Sequence, residues 1–427
     1  MRANVLPLSS PDAADPARVG PKAANLAALD HAGLPTPGGY CVAAEVYRQQ
    51  LAALGLEQTA REVFASDDAL ARRSALRLRM QLMEQPVVPE IKEPLLAAWH
   101  AVTHEGTVPG VVRSSALVED RYGSSFAGQF ESYLGLDNEV DFLTAVRACW
   151  AALWAPRALR YMATHDVDPA QTAMGLLLQP LVAARAAGGG LSQTADGGML
   201  INATPGLGSA IAQGEVAPDR YALSRDGTVQ ESHAGMTYHQ STCVHQSSLS
   251  RPAPHRRTCL ESSQVRELGE LMLRVEALMG MPVEIEWALD EHGIKLLQAR
   301  PLHLDDNPAP VPDKIWLRQP RLRGQPAGVG WGTGRARVVN CECELSRIGP
   351  GDVLVTRMAG PALGRILATV AGVVSELGGS TSHLASLARE RCVPMVLGVP
   401  GATSQIPEGD QVAVDGVSGI VRWMRAP

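Results

Sequence analysis

The chain has 427 residues, 45% of them hydrophobic, so it can bury the cores of two or three domains. Its formal charge of -6 argues against nucleic acid or an anionic membrane surface as the main partner. No apolar run of about 18 residues predicts a membrane span, and the N-terminus lacks the apolar segment of a secretory signal. The seven scattered cysteines favour a reducing, cytoplasmic location over a disulfide framework.

The N-terminal part of the chain alternates helical and strand patterns. "AANLAALDHAG" predicts a helix ended by Gly33, and "QVRELGELMLRVEALMG" predicts a second helix with apolar residues at helical spacing. "MGLLLQPLV" predicts a short buried strand. "VEIEWALDEHGIKLLQARPL" predicts two strands joined by a tight turn.

A proline-rich stretch divides the chain. Residues 306–329 contain five prolines and predict a stiff, exposed connector. After it, "DVLVT", "AGVVSE", "PMVLG" and "DQVAVDG" predict short strands, with a helix after His383. We therefore expect one domain at 1–305, a connector at 306–329 and a smaller domain at 330–427.

The segment "SELGGSTSHLASLARE" places one histidine after a loop of glycines and hydroxyls. Gly379 permits unusual backbone angles, Thr381 and Ser382 supply hydroxyls, and the free N–H groups of a following helix favour an anion. Arg389, six residues after His383, could help to hold a phosphate. An imidazole beside an anion site suits a phosphohistidine, whereas the same pattern also fits a histidine that caps a helix or packs in the core.

The longer stretch "GGSTSHLASLARERCVPMVLGVPGA" resembles the phosphohistidine loop of the PEP-utilising enzymes, the family of phosphoenolpyruvate synthase and pyruvate phosphate dikinase. The resemblance implies that His383 carries phosphate and that Gly379, Thr381, Ser382 and Arg389 belong to its loop. Residues 351–421 are similar to the swivelling domain of the family over their whole length.

The N-terminal half resembles the ATP-grasp-like nucleotide-binding domain of the same family. The resemblance thus implies an α/β (α+β) fold, with an ATP-grasp-like domain followed by a small swivelling β/α domain. "VGPKAANLAALDHAG" and "VVRSSALVEDRYGSSFAGQF" are similar to its two phosphate-binding loops. They imply that Lys22 and Arg113 contact ATP phosphates and that the backbone around Gly128 forms a flexible cover. An arginine followed by a loop of serines and glycines suits a triphosphate, because both offer donors to phosphate oxygens.

Two further segments carry implied contacts. "LLLQPLVA" resembles the strand that meets adenine, which implies contacts from Gln179 and Leu181. Side chains two residues apart on a strand share a face, so the strand pair 283–302 can present two carboxylates, an amide and an arginine together. The resemblance implies that four residues of this strand pair bind ATP: Glu284, Glu286, Gln298 and Arg300. It implies that Glu286 and Gln298 also bind Mg²⁺.

The sequence also departs from the family pattern. Pro21 and Ala23 stand where glycines are favoured, and Glu284 stands where many members have aspartate. Asn202 and Ser209 replace acidic residues. These differences bear on the geometry of the nucleotide site, whereas the residues named above for phosphate, metal and histidine chemistry are all present.

The resemblance implies an ATP-dependent dikinase-type phosphotransferase that uses Mg²⁺. The β-phosphate of ATP would pass to His383 and then to an acceptor, leaving AMP and phosphate. Neither the keto-acid barrel nor the antibiotic-binding insertion of relatives is recognisable, so we expect a small-molecule acceptor or an acceptor domain on a separate subunit. Two alternatives remain: a condensing ligase that works by phosphoryl activation, and a non-catalytic nucleotide-binding partner subunit.

The histidine- and cysteine-rich stretch at 233–259 contains residue types that can bind a metal. Its candidate ligands are His233, His239, Cys243, His245, His255 and Cys259. Their spacings fit no compact zinc pattern, and the surrounding residues are those of a solvated loop, so we expect no zinc site there. Cys341 and Cys343 are expected to be ordinary strand residues.

Overall fold

The structure is a computed structural model that describes residues 3–65, 68–119, 126–237, 253–254, 257–304 and 314–425. It divides into two compact units. The first contains Met1–Ala183 and Lys295–Arg300, and the second contains Ala184–Ile294 and Pro301–Pro427. The second unit therefore combines part of the predicted 1–305 domain with the C-terminal region.

Helices outnumber strands in the first unit. Its described elements are β1 Val5–Pro7, α1 Pro16–Val19, α2 Pro21–His31, β2 Tyr40–Val42, α3 Ala44–Ala53, α4 Glu57–Ala65, α5 Asp68–Glu84, α6 Pro89–Val102, β3 Gly110–Ala116, β4 Ser132–Leu136, α7 Glu139–Ala152, α8 Pro156–Thr164 and β5 Met174–Pro180.

The strands of the first unit form an antiparallel sheet in the order β1-β2-β5-β3-β4. The central strand β5 is buried from Met174 to Gln179, which explains why its sequence is a continuous apolar run instead of an alternating one. Helix α2 begins with Pro21, whose missing N–H costs nothing at a helix start. The predicted helix and strand are thus confirmed.

The second unit contains the remaining elements. They are β6 Ala186–Leu191, β7 Met199–Pro205, α9 Ser209–Ala212, β8 Asp219–Leu223, β9 Val229–His233, β10 Met236–Thr237, β11 Ala253–Pro254, α10 Ser262–Met279, β12 Val283–Asp290, β13 Gly293–Pro301 (which runs through the first unit's Lys295–Arg300), α11 Lys314–Leu317, β14 Arg321–Arg323, β15 Gln325–Pro326, β16 Trp331–Val339, β17 Val353–Thr356, β18 Gly372–Ser375, α12 His383–Glu390, β19 Met395–Leu397, α13 Ala402–Gln405, β20 Gln411–Asp415 and β21 Ile420–Met424.

Five strands of the second unit pair antiparallel in the order β12-β6-β7-β8-β9. Helix α10 has a capping box at its start, formed by Glu261 and Gln264, and ends at Gly280 in the left-handed conformation. Met272 of this helix packs against Gly190 of β6, where a side chain would collide with its sulfur. The predicted second helix is confirmed.

The C-terminal region forms an eight-stranded sheet in the order β14-β21-β20-β16-β17-β18-β19-β15. Strands β16 to β19 run parallel, and the other pairings are antiparallel. A valine-rich core fills this region; it includes Val353, Val374, Val396 and Val412, all fully buried. The four strands predicted from sequence and the helix after His383 are confirmed.

The later part of the proline-rich stretch belongs to the folded C-terminal region. Residues 305–313 lie outside the described residues. Beyond them, β14 and β15 join the two edges of the eight-stranded sheet, and Trp316, Ala327 and Val329 are buried. The prediction of an exposed connector was therefore wrong for this later part. Prolines are compatible with it because Pro326 lies on an edge strand, where a missing N–H donor is tolerated.

No helix within the described residues is long and apolar enough to cross a membrane.

Candidate functional site

Lys22, predicted to contact phosphate, lies in the first turn of α2 with its side chain almost fully buried. Its Nζ is 2.5 Å from Oε1 of Glu119, which is equally buried. The other carboxylate oxygen, Oε2, accepts a hydrogen bond of 3.0 Å from the backbone N–H of Ala116. Glu119 therefore fixes Lys22 relative to the end of β3.

The start of α2 is held tightly against β3. Gly20, the residue before the helix, has a φ of +82°, and a Cβ there would collide with the carbonyl of Ser115. The hydroxyl of Ser115 accepts a hydrogen bond of 3.0 Å from the N–H of Ala23. Pro21 and Ala23, the departures from the family pattern, are thus accommodated: the proline needs no partner, and the alanine N–H has one.

Arg113, predicted to grip a phosphate, projects from β3 and is partly exposed. Its guanidinium donates to the carbonyl of Leu297 at 2.8 Å and to Oε1 of Gln298 at 3.4 Å. The segment that carries these acceptors is held by two more bonds to the first unit, from Leu296 N to Pro35 O at 2.7 Å and from Asn25 Nδ2 to Ala299 O at 3.1 Å.

The predicted adenine contacts, Gln179 and Leu181, lie at the end of β5. Gln179 is buried and its amide donates to the carbonyl of Gly38 at 3.3 Å. The N–H of Leu181 donates to Pro109 O at 2.8 Å. Any adenine contact from the backbone of Leu181 would therefore use its carbonyl oxygen, which can accept from the exocyclic amino group.

The predicted phosphate cover around Gly128 is described only from residue 126 onward. Gly128 has a φ of +68°, in the left-handed region that glycine adopts easily. On either side of it, Phe126 and Phe130 are buried and stacked, with ring centroids 5.5 Å apart, and Phe126 also packs on Tyr161 at 4.4 Å. This end of the loop is therefore anchored in the core.

The four residues predicted on the strand pair fall in different units. Glu284 and Glu286 of β12 belong to the second unit, and Gln298 and Arg300 belong to the first. Gln298 and Arg300 are buried, whereas Glu286 is partly exposed. A carboxylate and an amide oxygen are donor types that Mg²⁺ accepts, so the chemistry of Glu286 and Gln298 fits the ion. Their joint binding of metal stays a prediction.

His383 is the first residue of α12 and is partly exposed. Ser382 precedes it as the N-cap, and its hydroxyl accepts a hydrogen bond of 3.3 Å from the N–H of Ala385. Before it, Gly378 has a φ of +98°, and its N–H donates to the carbonyl of Val216 at 2.9 Å. The imidazole is thus presented from the start of a capped helix, as the sequence pattern predicted.

The loop before His383 lies directly on strands β6 and β7. A Cβ on Gly189 would come within 2.6 Å of the Thr381 side chain. Thr381 donates its hydroxyl to Oδ1 of Asn202 at 3.4 Å. The amide of Asn202 in turn donates to Oε1 of Gln325 at 3.1 Å. Asn202 thus joins the β6–β7 sheet to the loop as both donor and acceptor, which an acidic residue at this position could not do when ionised.

Arg389, predicted to lie near the phosphate, is 7% exposed. Its Nη1 donates to the carbonyls of Ser380 at 2.7 Å and Ala327 at 3.3 Å. Its Nη2 donates to Oε2 of Glu284 at 2.9 Å and to the hydroxyl of Ser386 at 3.2 Å. The guanidinium therefore ties the histidine loop to β12. A phosphate contact from Arg389 stays a prediction.

Three contributors were missed by the sequence analysis: Glu119, Ser386 and Gln325. Glu119 lies within a quoted motif, but its partner is 97 positions away, so no local spacing marks the pair. Ser386 is visible only as a helical neighbour of His383. Gln325 falls in the predicted connector and gave no signal.

Part of the histidine- and cysteine-rich stretch cannot be placed, because His239, Cys243, His245 and His255 lie outside the described residues. In the part that is described, Cys259 donates its N–H to buried Asp219 at 2.6 Å. The prediction that Cys341 and Cys343 lie on a strand was wrong. Cys341 is the N-cap of a short 3-10 helix that contains Cys343, and its sulfur accepts a hydrogen bond from the N–H of Cys343 at 3.4 Å.

Comparison with known proteins adds to this geometry. Residues 16–314 match the family model described as pyruvate phosphate dikinase, AMP/ATP-binding domain. Residues 348–419 match the model described as PEP-utilising enzyme, mobile domain. The first match alone covers well over half of the chain.

Curated relatives are similar over nearly the whole chain. It is 29% identical over 418 residues to a probable phosphoenolpyruvate synthase from Methanothermobacter thermautotrophicus, covering 94% of this chain and 61% of the relative. It is 29% identical over 464 residues to phosphoenolpyruvate synthase from Aeropyrum pernix, covering 94% and 56%. The Escherichia coli phosphoenolpyruvate synthase is 28% identical over 443 residues, with 96% and 56% covered. The chain thus spans about three fifths of the length of these relatives.

Proposed function

Because the chain belongs to the PEP-utilising enzyme family, with its AMP/ATP-binding and mobile domains, we propose that it is an ATP-dependent dikinase-type phosphotransferase. The family uses ATP and Mg²⁺. The observation that carries the proposal is the position of the His383 loop, which lies against β6 and β7 of the nucleotide-binding region through Thr381, Gly189 and Asn202.

The proposed first step is attack by the His383 imidazole on the β-phosphorus of ATP. An N–P bond forms, the P–O bond between the α- and β-phosphates breaks, and AMP leaves. The γ-phosphoryl group then passes to water or inorganic phosphate, and the phosphohistidine donates its phosphoryl group to the acceptor. His383 must be neutral to attack, so its proton goes to solvent or to a neighbouring base.

Residues of the first unit would bind the nucleotide. Lys22 and Arg113 supply positive charge for the phosphate oxygens, and Arg113 has the planar fork that suits two of them at once. Leu181 and Gln179 would orient adenine at the end of β5. Charge stabilisation of this kind accelerates phosphoryl transfer because the transferring group carries dispersed negative charge.

Glu286 and Gln298 would hold the metal ion. When bound, Mg²⁺ offsets the negative charge of the triphosphate and aligns its oxygens. The acceptor in this proposal is a small molecule or a domain on a separate subunit, and we propose a cytoplasmic location from the reducing character of the cysteine pattern.

The test is to trap the phosphoenzyme. The protein is incubated with Mg²⁺ and ATP radiolabelled at either the β- or the γ-phosphorus, without an acceptor, beside the His383→Ala variant. The proposal predicts acid-labile, base-stable β-label that is absent from the variant. ATP binding without any β-label in the wild-type protein would contradict it and favour a non-catalytic nucleotide-binding subunit.

A further inference from the structure

We propose that Glu284 is a positioning residue for the phosphohistidine helix, held by Arg389 and Ser386, and is not a ligand of Mg²⁺ or ATP. This inference rests on the proposed function and assigns to Glu284 a different role from the one that the family resemblance implies. Its three participants lie in the second unit.

The carboxylate of Glu284 already has two donors on α12, the Ser386 hydroxyl and the Arg389 guanidinium. Ser386 Oγ lies 3.2 Å from Oε1 and 3.0 Å from Oε2, and Arg389 Nη2 lies 2.9 Å from Oε2. The Glu284 and Arg389 side chains are each 6% exposed. A buried carboxylate needs a counter-charge and hydrogen-bond donors, and α12 supplies both of them.

Ser386 and Arg389 both follow His383 on α12, and both contact the backbone of the loop before it. Ser386 lies one helical turn after His383, and its hydroxyl also reaches the carbonyl of Ser382 at 3.3 Å. Arg389 donates to the carbonyl of Ser380, three residues before His383, at 2.7 Å. Through these two side chains Glu284 is connected to the backbone just before the histidine.

A second contact holds the loop before the helix against the same sheet. Strand β6 pairs with β12 so that Gly189 is opposite Glu286, two residues along from Glu284. Thr381 packs on Gly189 and donates to Asn202. The ion pair and the Thr381 contact hold α12 and the loop before it at two separate points, and in this proposal they position the imidazole together. Removal of Glu284 should therefore affect the attack by His383 more than the binding of ATP.

The experiment compares Glu284→Gln, Arg389→Lys and the double variant, each as the full chain. Glu376→Gln is the matched control: Glu376 is a buried carboxylate that accepts from Thr403 at 2.9 Å, within the C-terminal region, and has no part in the proposed docking. Three quantities are measured: the rate of β-label transfer to His383, the dissociation constant of Mg²⁺·ATP, and hydrogen exchange of peptides that cover residues 379–391.

The proposal predicts that both single variants lower the transfer rate about tenfold or more, while the dissociation constant of Mg²⁺·ATP stays within about twofold. The double variant should fall little further than the worse single one, because the two residues act as a pair. Glu284→Asp, which keeps the charge, should recover part of the rate. Weaker ATP binding in Glu284→Gln but not in Arg389→Lys would overturn the proposal and make Glu284 a nucleotide or metal ligand.

Hydrogen exchange separates this inference from the proposed function, since it needs no nucleotide. If the wild-type protein takes no β-label, the dikinase proposal fails. Faster exchange at 379–391 in Glu284→Gln and Arg389→Lys, and not in Glu376→Gln, would still support docking by Glu284. Unchanged exchange in both would overturn it.

Discussion

Lys22 Nζ and Glu119 Oε1 are 2.5 Å apart in the buried part of the first unit, although the residues are 97 positions apart in the sequence. Lys22, which we propose as a contact for ATP phosphates, is therefore held in place by a carboxylate from the segment after β3. Since a buried ammonium without a counter-charge is costly, the pair also contributes to the stability of the unit.

Replacing Glu119 with glutamine should destabilise the protein. The change leaves the buried Lys22 ammonium without its counter-charge, which costs about 3–5 kcal/mol in the free energy of unfolding. Denaturant unfolding measures the loss. Removing both charges, as in Lys22→Met with Glu119→Gln, should recover part of it.

An exposed pair provides the control for this prediction. Arg157 and Glu131 are 2.6 Å apart, with side chains 39% and 53% exposed, so Glu131→Gln should cost less than about 1 kcal/mol. Equal losses in the Glu119 and Glu131 variants would show that burial of the first pair has no energetic consequence.

Arg113→Lys should weaken the binding of Mg²⁺·ATP about tenfold, because an ammonium replaces a planar fork with a single point of contact. It would also lose one of the two hydrogen bonds to Leu297 and Gln298. Titration calorimetry measures the affinity. Arg147→Lys is the control, since Arg147 donates to the carbonyl of Met83 on the surface and should leave ATP binding unchanged.

Gly189→Ala should slow the labelling of His383 about tenfold without changing ATP affinity, because the new methyl would displace the side chain of Thr381. Single-turnover labelling with β-labelled ATP measures the rate. A methyl at Gly349, in the C-terminal region, would meet its nearest atom at 3.4 Å, so Gly349→Ala should behave like the wild type. If Gly189→Ala is labelled at the normal rate, the position of the His383 loop against Gly189 is not the one from which His383 reacts.

Cysteine labelling should be uneven in the native protein. Burial raises the pKa of the Cys41 thiol to about 12 and raises the pKa of Cys149 still further. Because the thiolate is the reactive form, both should resist alkylation at pH 8, whereas exposed Cys343 and Cys392 should react before them. Mass spectrometry of alkylated peptides, with denatured protein as the control, would detect any early modification of Cys41.

The sequence predicted elements well where a repeating pattern carried them. The apolar run of β5, the helical spacing of α10 and the strands of the C-terminal region were all recognisable, because burial on one or both faces determines which positions are apolar. The prediction of an exposed connector was wrong in its later part for the opposite reason. Its prolines indicated exposed chain, but Ala327 and Val329 are buried through tertiary contacts that no local pattern records.

The residues of the candidate site also fall into two groups, those that a local motif indicates and those that it does not. Lys22, Arg113 and His383 stand in motifs that can be recognised in one short segment. Glu119 pairs with Lys22, which lies in a distant segment, and the residues around Glu119 do not indicate that contact. For the same reason the family resemblance implied a nucleotide contact for Glu284 and no contact with α12, whereas its bonds to Arg389 and Ser386 depend on how β12 meets α12.

The division of the chain between two units also bears on synthesis. Lys295–Arg300 belongs to the first unit, and its backbone provides the acceptor for Arg113 and bonds to Pro35 and Asn25. A nascent chain that has emerged only as far as residue 183 therefore lacks part of the first unit. We expect that unit to reach its final packing only after residue 300 has left the ribosome, by which time the whole intervening β6–β9 segment has already been made.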